Sequence, residues 1–305
     1  MTVSLLARGR RYVFAERPWL MGIVNATPDS FSDGGVHATL EARLTLARAL
    51  IAAGADVIDV GGESGRTNLP AVEAADEIER VVPLVELIAG ELGVLVSVDT
   101  YKPAVARAAI AAGAAIVNDV SGLRDPELAE GCAAGGAALV VMHTAARPKQ
   151  RLQDPGLYAD VLEEVLGFLA ERLALARERG LDEEALIVDP GPDFTKTPAQ
   201  TIELLRGAER LHELGRPVLM ALSRKDFIGA LTGRSPRERD AGTLAAIAHG
   251  LDAGAHIFRV HDVAAAADFI AVRRALRGES ELAADVLLPE ELRSETPSAP
   301  ANPPG

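Results

Sequence analysis

One short motif constrains this chain more than any other feature. Ala52-Ala53-Gly54-Ala55-Asp56-Val57-Ile58-Asp59 recurs as Ala111-Ala112-Gly113-Ala114-Ala115-Ile116-Val117-Asn118, and less closely over Ala133 to Val141 and Asp252 to Val260. Each copy follows an amphipathic stretch such as Leu40 to Ile51 or Ala104 to Ile110. A glycine behind such a stretch suits the left-handed residue that ends a helix. The β-branched run after it reads as a parallel strand buried on both faces. Helix, glycine, strand, repeated, predicts a βα protein.

Extended along the chain, the pattern places strands near Leu20 to Asn25, Val57 to Val60, Leu95 to Asp99, Ala115 to Asn118, Ala138 to His143, Leu186 to Asp189, Val218 to Leu222 and Ile257 to Val260. Helices fall between them, among them Gly156 to Arg179 and Pro198 to Leu214. Eight alternating units in about 250 residues favour an α/β fold of the closed (β/α)8 TIM-barrel type over a doubly wound open sheet. A dinucleotide-binding sheet would carry Gly-x-Gly-x-x-Gly after its first strand, and this chain has none there. The expected organisation is a hairpin or irregular cap at the bottom of the barrel over 1–17, one barrel domain over 18–278, and an acidic, Pro-rich tail over 279–305. That tail sets six acids against the single Arg293, and from about Ser294 it reads as disordered.

Composition narrows the partners. Among 305 residues, 44 acids against 31 bases give a formal net charge of −13. A surface that tracks nucleic acid or an anionic membrane needs the opposite balance. The single Cys132 allows no intramolecular disulfide or zinc cluster and reads as a small buried residue. Arg8, Arg10 and Arg11 interrupt the opening apolar run, the wrong order for a secretory signal, and Gly131 to Met142 is too short to span a bilayer. The expectation is a soluble cytoplasmic protein. Lysine occurs only at Lys102, Lys149, Lys196 and Lys225, the other 27 bases being arginine. His37, His212, His249 and His256 read as surface or packing residues, with His143 between these and the site.

In a barrel the chemistry lies at the carboxyl ends of the strands. Here each apolar run ends in polar groups: Asn25, Asp59 with Glu63, Asp99, Asn118 with Asp119, His143, Asp189, Ser223-Arg224-Lys225, and Arg259 with His261. Singly, each could merely satisfy a strand end. In register they point to a ligand that carries both hydrogen-bond donors and negative charge. Asp99, Asn118 and Asp189 suit a planar heterocycle presenting N–H groups, because carboxylates accept paired N–H bonds and an amide both donates and accepts. Lys225, Arg259 and His261 suit phosphate oxygens or a ring carbonyl.

These residues also carry a family resemblance. Met21-Gly22-Ile23-Val24-Asn25-Ala26-Thr27-Pro28-Asp29-Ser30-Phe31-Ser32-Asp33-Gly34-Gly35 resembles the first signature of the dihydropteroate synthases, and Asp59-Val60-Gly61-Gly62-Glu63-Ser64 resembles the second. Ser97-Val98-Asp99-Thr100, Asn118-Asp119-Val120-Ser121-Gly122, Asp189-Pro190-Gly191, Ser223-Arg224-Lys225 and Arg259-Val260-His261-Asp262-Val263 follow in the family's order, so the resemblance spans roughly Pro18 to Leu276. It implies condensation of 6-hydroxymethyl-7,8-dihydropterin diphosphate with 4-aminobenzoate, with Mg²⁺ as cofactor and a homodimer as the assembly. By the same resemblance Asp99, Asn118, Asp189 and Lys225 hold the pterin. Asn25, Arg66, Arg259 and His261 hold the diphosphate, Asn25 also serving the metal. Phe31, Ser223 and Arg224 line the aminobenzoate site, and Asp33, Lys225, Arg259 and His261 are the catalytic set.

The chain departs from the family pattern at Gly65-Arg66-Thr67-Asn68, where Thr-Arg-Pro-Gly is usual, and at Pro192-Asp193-Phe194-Thr195-Lys196, where Ile-Gly-Phe-Gly-Lys is usual. Two other functions stay open. One is a pterin-binding paralogue without synthase activity, motivated by the altered second loop. The other is a methyltetrahydrofolate-dependent methyltransferase, which has no diphosphate to expel and so gives no reason for the pairing of Ser223-Arg224-Lys225 with Arg259-Val260-His261. A phosphate barrel of the glycolytic type is more distant, since no Gly-rich phosphate loop follows the seventh or eighth strand.

Overall fold

The repeated glycine does what its position requires. Gly54, Gly113 and Gly254 have φ of 103°, 116° and 78°. After each, the next N–H reaches five residues back: Ala55 to Leu50, Ala114 to Ala109 and Ala255 to Gly250, at 2.9–3.0 Å. This closes the last helical turn and sends the chain directly into a strand. The fold is described from a computed structural model, for residues 3–14, 16–27, 39–65 and 67–293.

The chain divides into two compact units, Met1–Ala267 and Asp268–Gly305. In the first, β1 (Ser4–Ala7) and β2 (Arg10–Val13) form an antiparallel hairpin. Its turn has positive φ at both Arg8 and Gly9, the backbone twist a two-residue hairpin prefers. Eight parallel strands follow: β3 (Trp19–Asn25), β4 (Val57–Gly61), β5 (Leu95–Asp99), β6 (Ile116–Asp119), β7 (Ala138–Met142), β8 (Leu186–Asp189), β9 (Leu219–Met220) and β10 (Ile257–Val260). They pair in the order β8-β7-β6-β5-β4-β3-β10-β9. The two ends meet in a parallel bridge, Val188 to Val218, so the sheet closes on itself as the eight-unit pattern predicts.

The intervening helices are α1 (Leu40–Ala52), α2 (Ala74–Glu91), α3 (Pro103–Ala111), α4 (Glu127–Gly135), α5 (Val161–Glu178), α6 (Pro198–Arg206), α7 (Asp226–Thr232) and α8 (Asp240–Asp252), and α9 (Val263–Leu276) follows β10. Two expected helices are shorter than their periodicity. The one expected from Gly156 starts only at Val161, where the Asp160 side chain accepts from Leu162 N and Glu163 N. The one expected to run to Leu214 ends at Arg206, and a 3-10 segment, Ala208–Leu214, takes over after Gly207. β9 is likewise reduced to Leu219–Met220.

The hairpin sits against the amino ends of β7 and β8. Arg8 N donates to Gly136 O, and Arg11 pairs with Glu184. Leu5 and Ala7 are fully buried beneath the barrel, Leu5 alone being worth roughly 2 kcal/mol by transfer. In the second unit Arg274 and Arg277 pair with Glu279, and Glu290–Leu292 forms a 3-10 turn. Residues 294–305, expected to be disordered, lie outside the described residues. Among the described residues no helix is long and apolar enough to cross a membrane.

Candidate functional site

Strand register sets the site. Asn25 pairs with Gly61, Gly61 with Asp99, and Asp99 with Asn118, so three side chains stand at one level, at or one residue before the ends of their strands. Gly61 supplies the gap between them: a Cβ there would lie 3.9 Å from Asn25 Oδ1 and 4.0 Å from Asp99 Oδ2. Arg259, near the end of β10, reaches across. Its Nε meets Asp59 Oδ2 at 2.6 Å and its Nη2 meets Asp99 Oδ2 at 2.8 Å. Asn118 Nδ2 donates to the same Asp59 oxygen at 3.3 Å.

Asp59 is fully buried, and its Oδ1 has no partner. Burying such a charge for stability alone is uneconomical, because desolvation offsets most of the attraction. Burial pushes the Asp99 carboxyl up, against the pull of Arg259, and the carboxylates of Asp59, Glu77 and Asp119 add to the push. Arg259 loses to burial but gains more from Asp59 and Asp99, which hold it firmly charged.

On the opposite side of the mouth, Asp189 ends β8. Its Oδ1 accepts from Gly191 N at 2.7 Å, while burial raises its carboxyl. Gly191 has φ 64°, and any Cβ there would stand 2.2 Å from His143 O, so no other residue fits. Lys225 donates to Pro192 O at 2.9 Å and lies 4.5 Å from the centre of the Phe194 ring. Burial lowers its ammonium, with Asp193 and Asp189 pulling the other way. His261 Nδ1 and Ser223 Oγ are 2.9 Å apart, and burial with nearby Arg259, Arg224 and Lys225 brings the imidazole down to about 4. His261 is therefore neutral at pH 7.

The expected site residues do not all converge through their side chains. Arg224 turns away to Asp240 on α8, with contacts of 2.8 and 3.3 Å, and only its backbone, at φ 59°, stays beside Ser223 and Lys225. Phe31, Asp33 and Arg66 lie outside the described residues, as does His37. His212, His249 and His256 each hydrogen-bond a backbone group, the packing role expected of them. Cys132 is buried, as a small core residue would be.

Sequence reasoning missed two features, the Phe194 ring and the work of Lys102 and Lys149, and left Lys196 open between loop support and the site. The Phe194 ring gave no signal by itself. Lys196 is fully buried, and its three N–H groups meet His143 Nδ1 at 2.8 Å, Gly191 O at 2.9 Å and Phe194 O at 3.1 Å. Lys102 and Lys149, which had no assigned work, converge on Glu63. Lys102 lies 2.6 Å from Glu63 and also contacts Glu77, Lys149 lies 3.3 Å from Glu63, and the Glu63 carboxyl also takes Val72 N at 2.8 Å. Burial works against the charge on Glu63, but Lys102 and the Val72 N–H hold its carboxyl low. The sparing use of lysine was the available signal: all four meet buried acceptors beyond the carboxyl ends of the strands.

The family model described as "Pterin binding enzyme" matches residues 21–261, the span from β3 to His261 that carries every group above. The chain belongs to the pterin-binding enzyme family. Within the family it stands with the dihydropteroate synthases. It is 43% identical over 265 residues to the dihydropteroate synthase of Streptococcus pyogenes serotype M1, covering 86% of this chain and 97% of that one. It is 43% identical over 251 residues to that of Bacillus subtilis, covering 82% and 85%. Among solved structures, Xanthomonas albilineans dihydropteroate synthase with 4-aminobenzoic acid superposes with a TM-score of 0.83 at 44% identity, covering 91% of this chain and 99% of that one. The same enzyme in complex with 7,8-dihydropteroate gives 0.80 at 43% identity, covering 90% and 98%.

Family membership raises the question of a metal. Magnesium takes one or two oxygens from a protein, keeps several waters and binds substrate phosphates. The hard amide oxygen of Asn25, over Gly61 and beside Asp99, has that chemistry. Among the described residues no group of three or more His, Cys, Asp or Glu is arranged to hold a metal ion.

Proposed function

We infer that this chain is a dihydropteroate synthase of folate biosynthesis, joining 6-hydroxymethyl-7,8-dihydropterin diphosphate to 4-aminobenzoate and releasing diphosphate. The observation that carries the reading is the convergence of Asp99, Asn118 and Asp189 with Lys225, Arg259 and His261 on one mouth of the barrel. The relatives add the reaction, since they share that name over nearly their whole length.

In this reading Asp189 and Asn118 pair with the aminopyrimidinone edge of the pterin, Asp99 takes a further ring N–H, and Lys225 donates to a ring acceptor. The aryl amine nitrogen, already neutral near pH 7, attacks the pterin methylene. The carbon–oxygen bond to the diphosphate breaks, its electron pair leaves with the diphosphate, and the amine proton passes to solvent. No strong base is required. The protein's work is electrostatic: Arg259 meets the charge that grows on the departing diphosphate. With Ser223 donating to His261 Nδ1, the other ring nitrogen carries the hydrogen and can donate to the same group. Magnesium, held by Asn25 and the diphosphate, supplies further charge neutralisation when bound. Asp33 and Arg66 complete the catalytic and diphosphate sets. Ser223, Phe31 and, through its backbone alone, Arg224 line the aminobenzoate pocket, with the Phe194 ring as an added wall. A cytoplasmic homodimer fits the family resemblance.

The test is diphosphate release with pterin diphosphate, 4-aminobenzoate and Mg²⁺. Turnover is expected only with both organic substrates present. Tight pterin binding without turnover would replace the synthase reading with the non-catalytic paralogue.

A further inference from the structure

The loop after β8 is built in an unusual way. Asp193 and Thr195 both have positive φ, 64° and 53°, conformations that ordinarily fall to glycine. Each is fastened by its side chain instead. Asp193 Oδ1 accepts from Thr201 Oγ1 at 3.0 Å, while the same hydroxyl accepts from Asp193 N at 3.1 Å. The other carboxylate oxygen accepts the N–H groups of Asp226 and Phe227, at the start of α7 and directly after Lys225. Thr195 is buried, and its Oγ1 accepts from Ala145 N at 3.0 Å. Tyr158 caps the same residue, its hydroxyl 3.1 Å from Thr195 O and 3.0 Å from Thr195 Oγ1.

Between these two anchors stands Phe194, its carbonyl also bound by Lys196 and its ring facing the Lys225 ammonium. The Pro192 carbonyl, one residue before Asp193, takes a hydrogen bond from the same ammonium. The loop therefore joins α6, α7 and the segment after β7, and it presents one aromatic face and one cation as a fixed pair. By contrast Asp99, Asn118 and Asp189 sit on strands held by the barrel's own ladder and owe nothing to these tethers.

We propose that Asp193 and Thr195 are positioning residues for the second substrate: they hold Phe194 and Pro192 against Lys225, so that the aryl amine meets a wall already in place. The proposal rests on the synthase reading above. A preformed wall spares the ordering cost of assembling it on binding. Its loss should raise KM for the aryl amine while leaving the pterin half nearly intact.

The informative variant is the pair Asp193→Gly with Thr195→Gly. Glycine adopts the same backbone without strain, so the loop can still form and only the tethers are lost. KM for 4-aminobenzoate is expected to rise about 10-fold, and the Kd for the pterin diphosphate to change less than about 3-fold, because three of its four proposed protein contacts are on strands. Thr195→Ala alone should reproduce part of the rise and Thr195→Ser should reverse it. These single variants decide the matter if the glycine pair does not fold. Equal changes for both substrates, or none for either, would overturn the proposal while the synthase reading stands. A wild-type protein that releases no diphosphate would instead remove the reading itself, and the proposal with it.

Discussion

The two mouths of the barrel carry similar residues under different rules. At the amino end, Arg17 and Asp56 form a two-pronged pair at 2.7 and 2.8 Å, and Arg11 pairs with Glu184, with side chains between a fifth and two-thirds exposed. Such pairs are cheap to form and contribute little. At the carboxyl end, Arg259 spans Asp59 and Asp99, Lys102 lies between Glu63 and Glu77, and Lys196 is sealed against His143. There each network has a member sealed from solvent, Asp59, Glu77 or Lys196, while Arg259, Asp99 and Lys102 are about a fifth exposed or less, and oxygens of Asp59 and Glu77 are left without partners. One mouth uses charge to close a surface. The other holds charge out of water at a cost in stability, the pattern expected where a ligand is to be met.

The contrast is broken most severely at Arg259. Arg259→Met strands two carboxylates, one of them fully buried, and should cost about 3 kcal/mol in urea unfolding. In the proposed mechanism it also removes the charge facing the diphosphate, so kcat should fall on the order of 10²-fold or more. Loss of activity with unchanged stability would mean that the Asp59–Arg259–Asp99 chain is not the buried network described here.

His143 tests the same rule through pH. Burial first, and the Lys196 ammonium second, bring its imidazole down to about 2. The unfolded chain takes up this proton near pH 6.5, which the folded state resists until far lower. The stability His143 contributes is therefore complete above pH 6.5 and declines as acid is added, by about 1.4 kcal/mol per pH unit. A glutamine at this position can still accept from Lys196 but does not titrate. The advantage of the wild type over His143→Gln at pH 7.5 should shrink by about 2 kcal/mol at pH 5, read from unfolding curves at the two values. A gap that stays constant would show His143 titrating alike in both states.

Much of the barrel was legible because its signals are local. The Ala-Ala-Gly repeat encodes a helix end and a strand start in eight residues, and Gly54, Gly113 and Gly254 fulfil it. The strand-end polar groups were legible for the same reason, since a barrel assigns every strand's last residue to one face. Partnerships were not. Nothing in the neighbourhood of Arg259 names Asp59, 200 positions away, and Arg224 could not be seen to turn to Asp240. Helix lengths failed where a cap or a lone glycine outweighed periodicity, as at Asp160 and Gly207. The buried role of Lys196 was hidden because its three acceptors are a distant histidine and two carbonyls, and a carbonyl carries no sequence signature.

The smallest expected effect lies at the amino mouth and bounds the comparison from below. Arg17→Ala removes a bidentate pair whose two contacts are about as short as those of Arg259, yet the Arg17 side chain is 40% exposed. Solvent and salt screen it, so the loss should be no more than about 1 kcal/mol, and 1 M NaCl should erase most of it. Asp56 is not stranded by the change, because its Oδ2 also accepts from Leu20 N at 2.8 Å and it keeps access to water. Turnover should stay at the wild-type value, since the pair stands at the end of the barrel away from the chemistry. If Arg17→Ala proved as damaging as Arg259→Met, contact geometry rather than burial would govern the ion pairs of this barrel. Burial is what separates the two arginines, and the ratio of their two stability losses measures it.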